Sequence, residues 1–119
     1  MLEVKEVKKY FKGIKAVEDV SFRVNRGEIF GLLGPNGAGK STTISMISTL
    51  LRPTSGDILY KGESILKNPK VIQKCLGIIP QEIALYPTLT GYQNLSFWGQ
   101  VYGLRGKELR SRIEEVGEL

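Results

Sequence analysis

At 119 residues the chain is one domain or part of one, and 41% hydrophobic with 24% charged residues is the composition of an ordinary soluble protein. The longest apolar runs are far too short to span a bilayer, and the alternating charged and apolar N-terminus is not a signal peptide. There is no histidine and one cysteine, Cys75, which excludes histidine-based triads, histidine-ligated metal sites and an internal disulfide, and fits a reducing compartment.

Leu2 and Val4 alternate with Glu3 and Lys5, which predicts a half-buried strand reaching about Val7. Lys9-Tyr10-Phe11-Lys12-Gly13 then reads as a loop with two adjacent aromatics. Val20, Phe22 and Val24 alternate with Asp19, Ser21, Arg23 and Asn25 as a second strand. Together they suggest an antiparallel sheet with one wet face. The net charge of +5 is concentrated here, in Lys5, Lys8, Lys9, Lys12 and Lys15. These read as a solvated surface; attraction to nucleic acid or anionic lipid is the alternative. No aromatic–basic interleaving or nucleic-acid motif accompanies them, so no nucleic-acid partner is expected.

Arg26-Gly27 turns the chain into Glu28–Leu33, apolar enough for a strand buried on both faces. Gly34-Pro35-Asn36-Gly37-Ala38-Gly39-Lys40-Ser41-Thr42 follows and fits G-x-x-x-x-G-K-[ST], the phosphate-binding P-loop. After it, Ile44, Ile47, Leu50 and Leu51 recur at helical spacing, predicting a helix over residues 41–51. Strand, glycine loop and helix are what phosphate binding needs. A triphosphate must be held by many donors at short range. Gly34, Gly37 and Gly39 place no side chain between backbone and ligand, and they permit the turns that curl successive N–H groups into an anion nest. The helix adds its free N–H groups and the positive end of its dipole. Lys40 is expected to reach the β- and γ-phosphates, and the Ser41 hydroxyl is a hard oxygen ligand suited to Mg²⁺.

Arg52-Pro53-Thr54-Ser55-Gly56 breaks the helix. Asp57–Tyr60 reads as a short strand closed by Lys61-Gly62, and Asn68-Pro69 opens a short helix with Asn68 as its cap. Leu76-Gly77-Ile78-Ile79-Pro80 reads as another buried strand, with Gln81 and Glu82 at its C-terminal end, where ligands are met in α/β sheets. Residues 85–89 form an irregular loop with exposed apolar residues. Thr90 caps a helix whose Tyr92, Leu95, Trp98 and Tyr102 share a face; a last helix begins at Lys107 with Leu109, Ile113 and Val116 on one face. Glu108 with Arg112 and Arg110 with Glu114 are spaced for ion pairs.

From first residue to last the chain resembles the ATP-binding subunit of ABC transporters, on several motifs. Gly34 to Thr42 matches the family's Walker A motif, Arg52 to Gly56 its turn after the Walker helix, and Gln81, after Ile78-Ile79-Pro80, its Q-loop glutamine. Ala84-Leu85-Tyr86-Pro87-Thr88-Leu89-Thr90 with Asn94 is similar to the segment that follows, and several segments are nearest to ABC-2 type exporters. The resemblance implies an α/β fold: a P-loop NTPase core with a partial parallel sheet and an N-terminal antiparallel β-subdomain over residues 1–82, and the start of a helical subdomain over 83–119. It implies ATP and Mg²⁺ as ligands, with Lys40 and Gln81 catalytic, and Ser41 and Gln81 on the metal. Residues 34–42 would hold the phosphates and Phe11 would stack on adenine, with Tyr10 as a competitor. The implied partners are a transmembrane permease subunit, met near Leu85, Tyr86 and Leu89, and a second ATP-binding subunit. The implied location is the cytoplasm, peripheral at the inner face of the membrane. The family's signature motif, Walker B strand and switch histidine are not in these residues, so binding without hydrolysis is expected. An ABC-type ATPase acting on ribosomes or DNA, and a non-catalytic nucleotide-binding module, are the alternatives.

Overall fold

In the computed structural model, residues 1–35, 37 and 39–118 are described; Asn36, Ala38 and Leu119 lie outside them. Those residues divide into two compact units, Met1–Ile78 and Ile79–Leu119.

The first unit is built on a four-stranded antiparallel sheet in the order β2-β1-β3-β4, with β1 at Leu2–Phe11, β2 at Ile14–Val24, β3 at Ser55–Tyr60 and β4 at Glu63–Ser64. Helix α1 (Lys40–Ile47) and the one-turn helix α2 (Lys70–Gln73) complete it. Val4 and Val7 of β1, Val17 of β2 and Ile58 of β3 form one core with Met46 and Ile47 of α1, Ile65 and Ile72.

Both long strands run further than simple alternation predicts, and the cause is a pair of bulges. Val4 and Val7 are three apart, so in a regular strand they would face opposite sides of the sheet. The β1 register shifts between them, where Glu6 takes φ +45°, and both valines reach the core. Asp19, at φ +48°, lies in the same way between Val17 and Val20. The Glu6 amide, taken out of the ladder, donates to Ser21 Oγ at 2.7 Å. The expected loop at residues 9–13 is therefore the end of a hairpin: Phe11 pairs with Ile14 across a two-residue turn, with Gly13 at φ +76°.

Two expected strands are not formed. Residues 28–33 and 76–80 are irregular, and the described residues hold no parallel strand pair. Both segments are apolar enough for a sheet interior, but among the described residues no strand pairs with either one to take its N–H and C=O groups. Ile29, Leu33 and Ile79 are in consequence 100%, 93% and 98% exposed. One anchor remains: the Phe30 ring stacks on Phe22 of β2, centroids 4.9 Å apart.

Helix α1 is also shorter than predicted. It ends in a Schellman motif: the Leu50 amide donates to the Ser45 carbonyl and the Thr49 amide to that of Met46, with Thr49 in the left-handed region at φ +66°. Asn68 does not cap α2 through its side chain, which instead donates to Glu63 Oε1 at 3.3 Å.

The second unit holds α3 (Gly91–Val101) and α4 (Gly106–Gly117). Thr90 caps α3 as predicted, in a reciprocal capping box with Gln93. The Arg105 guanidinium closes its other end on the carbonyls of Gln100 and Leu104, at 2.9 and 2.8 Å. On α4 the observed ion pair is Arg112 with Glu115 at 2.7 Å rather than the two expected pairs. Among the described residues no helix is long and apolar enough to cross a membrane.

Candidate functional site

The phosphate loop is seated by its C-terminal arm. Gly39 caps α1 with φ +87° and ψ +12°, a left-handed conformation that glycine enters without strain. Its α-carbon faces the backbone of β2 so closely that an added Cβ would stand 2.4 Å from the Ala16 carbonyl oxygen. Thr43, buried one turn into α1, fastens the same corner: its amide and hydroxyl both donate to the Gly39 carbonyl, at 2.9 and 2.8 Å. Gly37 is likewise left-handed, at φ +88°. The Lys40 ammonium folds back and donates to the Gly34 carbonyl across the mouth of the loop. Ser41 is exposed in the first turn of α1. Asn36 and Ala38 lie outside the described residues.

The hairpin end carrying the two aromatics belongs to the same unit. Phe11 pairs with Ile14 only two residues before Ala16, on which Gly39 rests. Phe11 is 44% exposed, with the Lys9 ammonium 5.3 Å from its ring centre. Tyr10 is less exposed; the Lys15 ammonium stands 5.7 Å from its ring centre, and its amide donates to Thr54 Oγ1 at 2.9 Å. The turn at residues 52–56 is tied to the same strand end, since the Thr54 amide donates to the Lys8 carbonyl and the Lys9 ammonium to that of Arg52.

The basic strand is largely neutralised by its neighbours. Lys5 lies 3.7 Å from Glu3, Lys8 3.4 Å from Asp19 and Lys15 3.8 Å from Glu18. Asp19 holds the Lys8 ammonium above its ordinary pKa. These pairs are exposed and contribute little to stability, but they leave no unbroken cationic stripe along β1.

Among the described residues no cluster of three or more acidic, histidine or cysteine side chains could hold a metal. That donor set still fits Mg²⁺. Mg²⁺ dehydrates reluctantly, and at a nucleotide site it is held by substrate phosphates with one or two protein oxygens rather than by a protein cage. Ser41 can supply one such oxygen.

Gln81 lies in the second unit, exposed, at a bend just after Pro80. The rest of that unit presents an aromatic cluster: Tyr86 meets Phe97 edge-on at 5.2 Å and Trp98 at 6.4 Å between centroids. Buried Asn94 fixes the loop that carries Tyr86. Its Oδ1 accepts from the Tyr86 amide at 2.9 Å, and its Nδ2 lies within reach of the Tyr86, Leu89 and Thr90 carbonyls. No periodicity or motif in the sequence assigns Asn94 that task, or assigns Ala16 its part in seating the phosphate loop. A sequence signal existed only for Asn94, which directly follows the capping-box glutamine and can reach back over the helix start.

The family model described as ABC transporter matches residues 17–118. The linearmycin resistance ATP-binding protein LnrL of Bacillus subtilis is 52% identical over 118 residues, 99% of this chain and 38% of that protein. The doxorubicin resistance ATP-binding protein DrrA of Mycobacterium tuberculosis is 42% identical over 112 residues, 93% of this chain and 34% of that protein. The chain thus spans little more than a third of either relative. Among solved structures, the dimeric post-hydrolysis state of the ATP-binding cassette MJ0796 bound to ADP and Pi is similar, with TM-score 0.79 and 28% identity over 97% of this chain and 55% of that one. Fold, motif and relatives agree: the chain belongs to the ABC transporter family, and its fold is that of the N-terminal part of an ABC ATPase cassette.

Proposed function

We propose that the chain is the nucleotide-binding N-terminal part of an ATP-binding subunit that powers export across a membrane. Residues 1–82 carry nucleotide binding and 83–119 open a helical subdomain. The observation that carries this reading is the loop-to-helix corner: Gly39 locked on Ala16, Thr43 locked on Gly39, and Lys40 and Ser41 opening the helix beyond. Residues 34–42 hold the triphosphate, Lys40 meets its outer phosphates and Phe11 stacks on adenine, an interaction worth about 1–3 kcal/mol in other base-stacking sites. Mg²⁺ would be held by Ser41 and Gln81, where it would offset phosphate charge. Drug-resistance relatives support the export direction. The partners are a permease subunit, met through the Leu85–Leu89 loop and its aromatic support, and a second ATP-binding subunit, as the dimeric cassette supports.

These residues bind but do not turn over ATP. None of their carboxylates is placed to activate water, and a general base alone contributes about 10²–10⁴-fold. Titration calorimetry with Mg-ATP tests the reading. Lys40→Ala should weaken binding at least tenfold, about 1.4 kcal/mol, and phosphate release should stay at background in both forms. Equal affinities would refute the loop assignment, and Lys40-dependent turnover would refute the division of the site.

A further inference from the structure

We infer that Thr49 and Gln73 form a brace that positions the phosphate-loop helix, so that α2 acts on nucleotide binding without touching the nucleotide. This rests on the phosphate-binding reading of residues 34–42.

The starting observation is a residue in the wrong conformation for its type. Thr49 occupies the left-handed position that closes the Schellman motif of α1, at φ +66°. Glycine or asparagine suits that position, and a β-branched side chain is strained there. Such strain persists only where the surroundings over-determine the conformation. What threonine offers and glycine lacks is a hydroxyl, and that hydroxyl is used: Gln73 Nε2 donates to Thr49 Oγ1 at 2.8 Å. Gln73 is the last residue of α2, whose Ile72 is buried in the same core as Met46 and Ile47 of α1.

Met46 and Ile47 anchor this end of α1 in the core, but the packing is incomplete there. An open pocket of about 110 Å³ lies beside it, lined by Met46, Thr49, Leu51, Ile65 and Pro69 among others. The hydrogen bond adds a polar tie next to that gap. Helix α1 is thus held at both ends, at Gly39 by the β2 backbone and at Thr49 by α2. Eight residues make a rod about 12 Å long, so a tilt of about 5° moves one end by about 1 Å. With the Gly39 end seated on β2, loss of the Thr49 bond would let the far end swing and turn the first helical turn about that seat; such a change of aim matters to Lys40 and Ser41, which must converge on one phosphate.

Strain and brace pull in opposite directions, which separates positioning from stability. Thr49→Gly relieves the backbone and removes the hydroxyl; relieved strain offsets the lost bond and the looser unfolded chain, so the thermal midpoint should move little while Mg-ATP binding weakens roughly two- to tenfold, the factor set by one modest hydrogen bond. Gln73→Leu should weaken binding equally and lower the midpoint. The double variant should bind no worse than either single one, and Thr49→Ser should bind as the parent does. The full chain is used throughout, with calorimetry, thermal melts and amide exchange over residues 43–51. Unchanged affinity in both single variants, or affinity that only follows the midpoint, overturns the brace and leaves the phosphate reading intact. If the parent chain shows no Lys40-dependent binding, the phosphate reading falls and the positioning role with it; unaltered exchange of α1 in Gln73→Leu would then dismiss the structural brace too.

Discussion

Replacing Gly39 with alanine measures how firmly the phosphate loop is seated on β2. The added Cβ would lie 2.4 Å from the Ala16 carbonyl oxygen and 3.0 Å from Val17 Cγ2, at φ +87°. Two costs add. The left-handed backbone disfavours an L side chain by about 1–2 kcal/mol. The collision is with main chain, which cannot rotate aside as a side-chain tip can, so β2 or the start of α1 must retreat by about 1 Å to reach ordinary contact. Overpacking of this kind costs about 1–3 kcal/mol. Alanine also narrows the unfolded ensemble, which offsets about 0.4–1 kcal/mol. The expected net loss is about 1–5 kcal/mol, centred near 3, with Mg-ATP affinity falling because the retreat carries Lys40 and Ser41 with it. Gly37 supplies the control. Its φ is +88°, yet, its chain neighbours aside, nothing among the described residues stands within 4 Å of its would-be Cβ, so Gly37→Ala should lose only the backbone part, about 1 kcal/mol. Gly56 supplies a second: its Cβ would meet the Glu6 carbonyl oxygen at 2.4 Å, so Gly56→Ala should cost stability as Gly39→Ala does but spare the affinity of the folded fraction. Urea midpoints and calorimetry decide. Equal losses at Gly37 and Gly39 would show that the close approach to Ala16 carries no energy, and the seating would have to be explained otherwise.

Asn94→Ala removes the side-chain amide bonds that hold the Tyr86–Leu89 backbone to α3, while the Thr90–Gln93 capping box remains, and should cost about 1–3 kcal/mol; faster amide exchange at Tyr86 is the specific readout, and unchanged exchange would refute the tie. Asp19 raises the Lys8 pKa in the folded state, so the pair's contribution is fully present below the ordinary lysine pKa and is lost as pH rises through the raised value. The small stability gap between the parent and Lys8→Met should therefore be flat near neutrality and close in strong alkali; a gap that widens as the alkali strengthens would reverse the sign. With Ile29, Leu33 and Ile79 exposed, the chain should associate as its concentration rises, and Ile29→Lys should suppress the light scattering; scattering indifferent to that change would place the contact elsewhere.

How much of this was legible in the sequence follows from how local each feature is. The Thr90 capping box and the phosphate-loop motif are local: a few residues at fixed spacing determine the hydrogen bonds. The hairpin was half legible. Alternation finds a strand only while its period holds, and the bulges at Glu6 and Asp19 shift the period by one residue, so alternation marks each strand only as far as its bulge. The Thr49–Gln73 bond joins residues 24 apart through polar side chains that no periodicity marks, and it was not legible.

Segments 28–33 and 76–80 failed for a different reason. A run that is apolar on both faces specifies an environment, a sheet interior with a strand on either side, and only through that environment a structure. Among the described residues the environment is absent, so the same residues that predicted strands leave their backbone unpaired. This bears on the phosphate loop directly. Its C-terminal arm is fixed at Gly39 by contacts with β2 that owe nothing to a parallel sheet. Its N-terminal arm, at Gly34, continues a segment held to the sheet through the Phe30 and Phe22 rings. The Lys40 contact with the Gly34 carbonyl joins the two arms. A phosphate entering the loop must compete with that carbonyl for the ammonium. The arm it would release is the one without strand neighbours among the described residues, so on the proposed phosphate-binding reading part of the binding free energy would go into settling that arm.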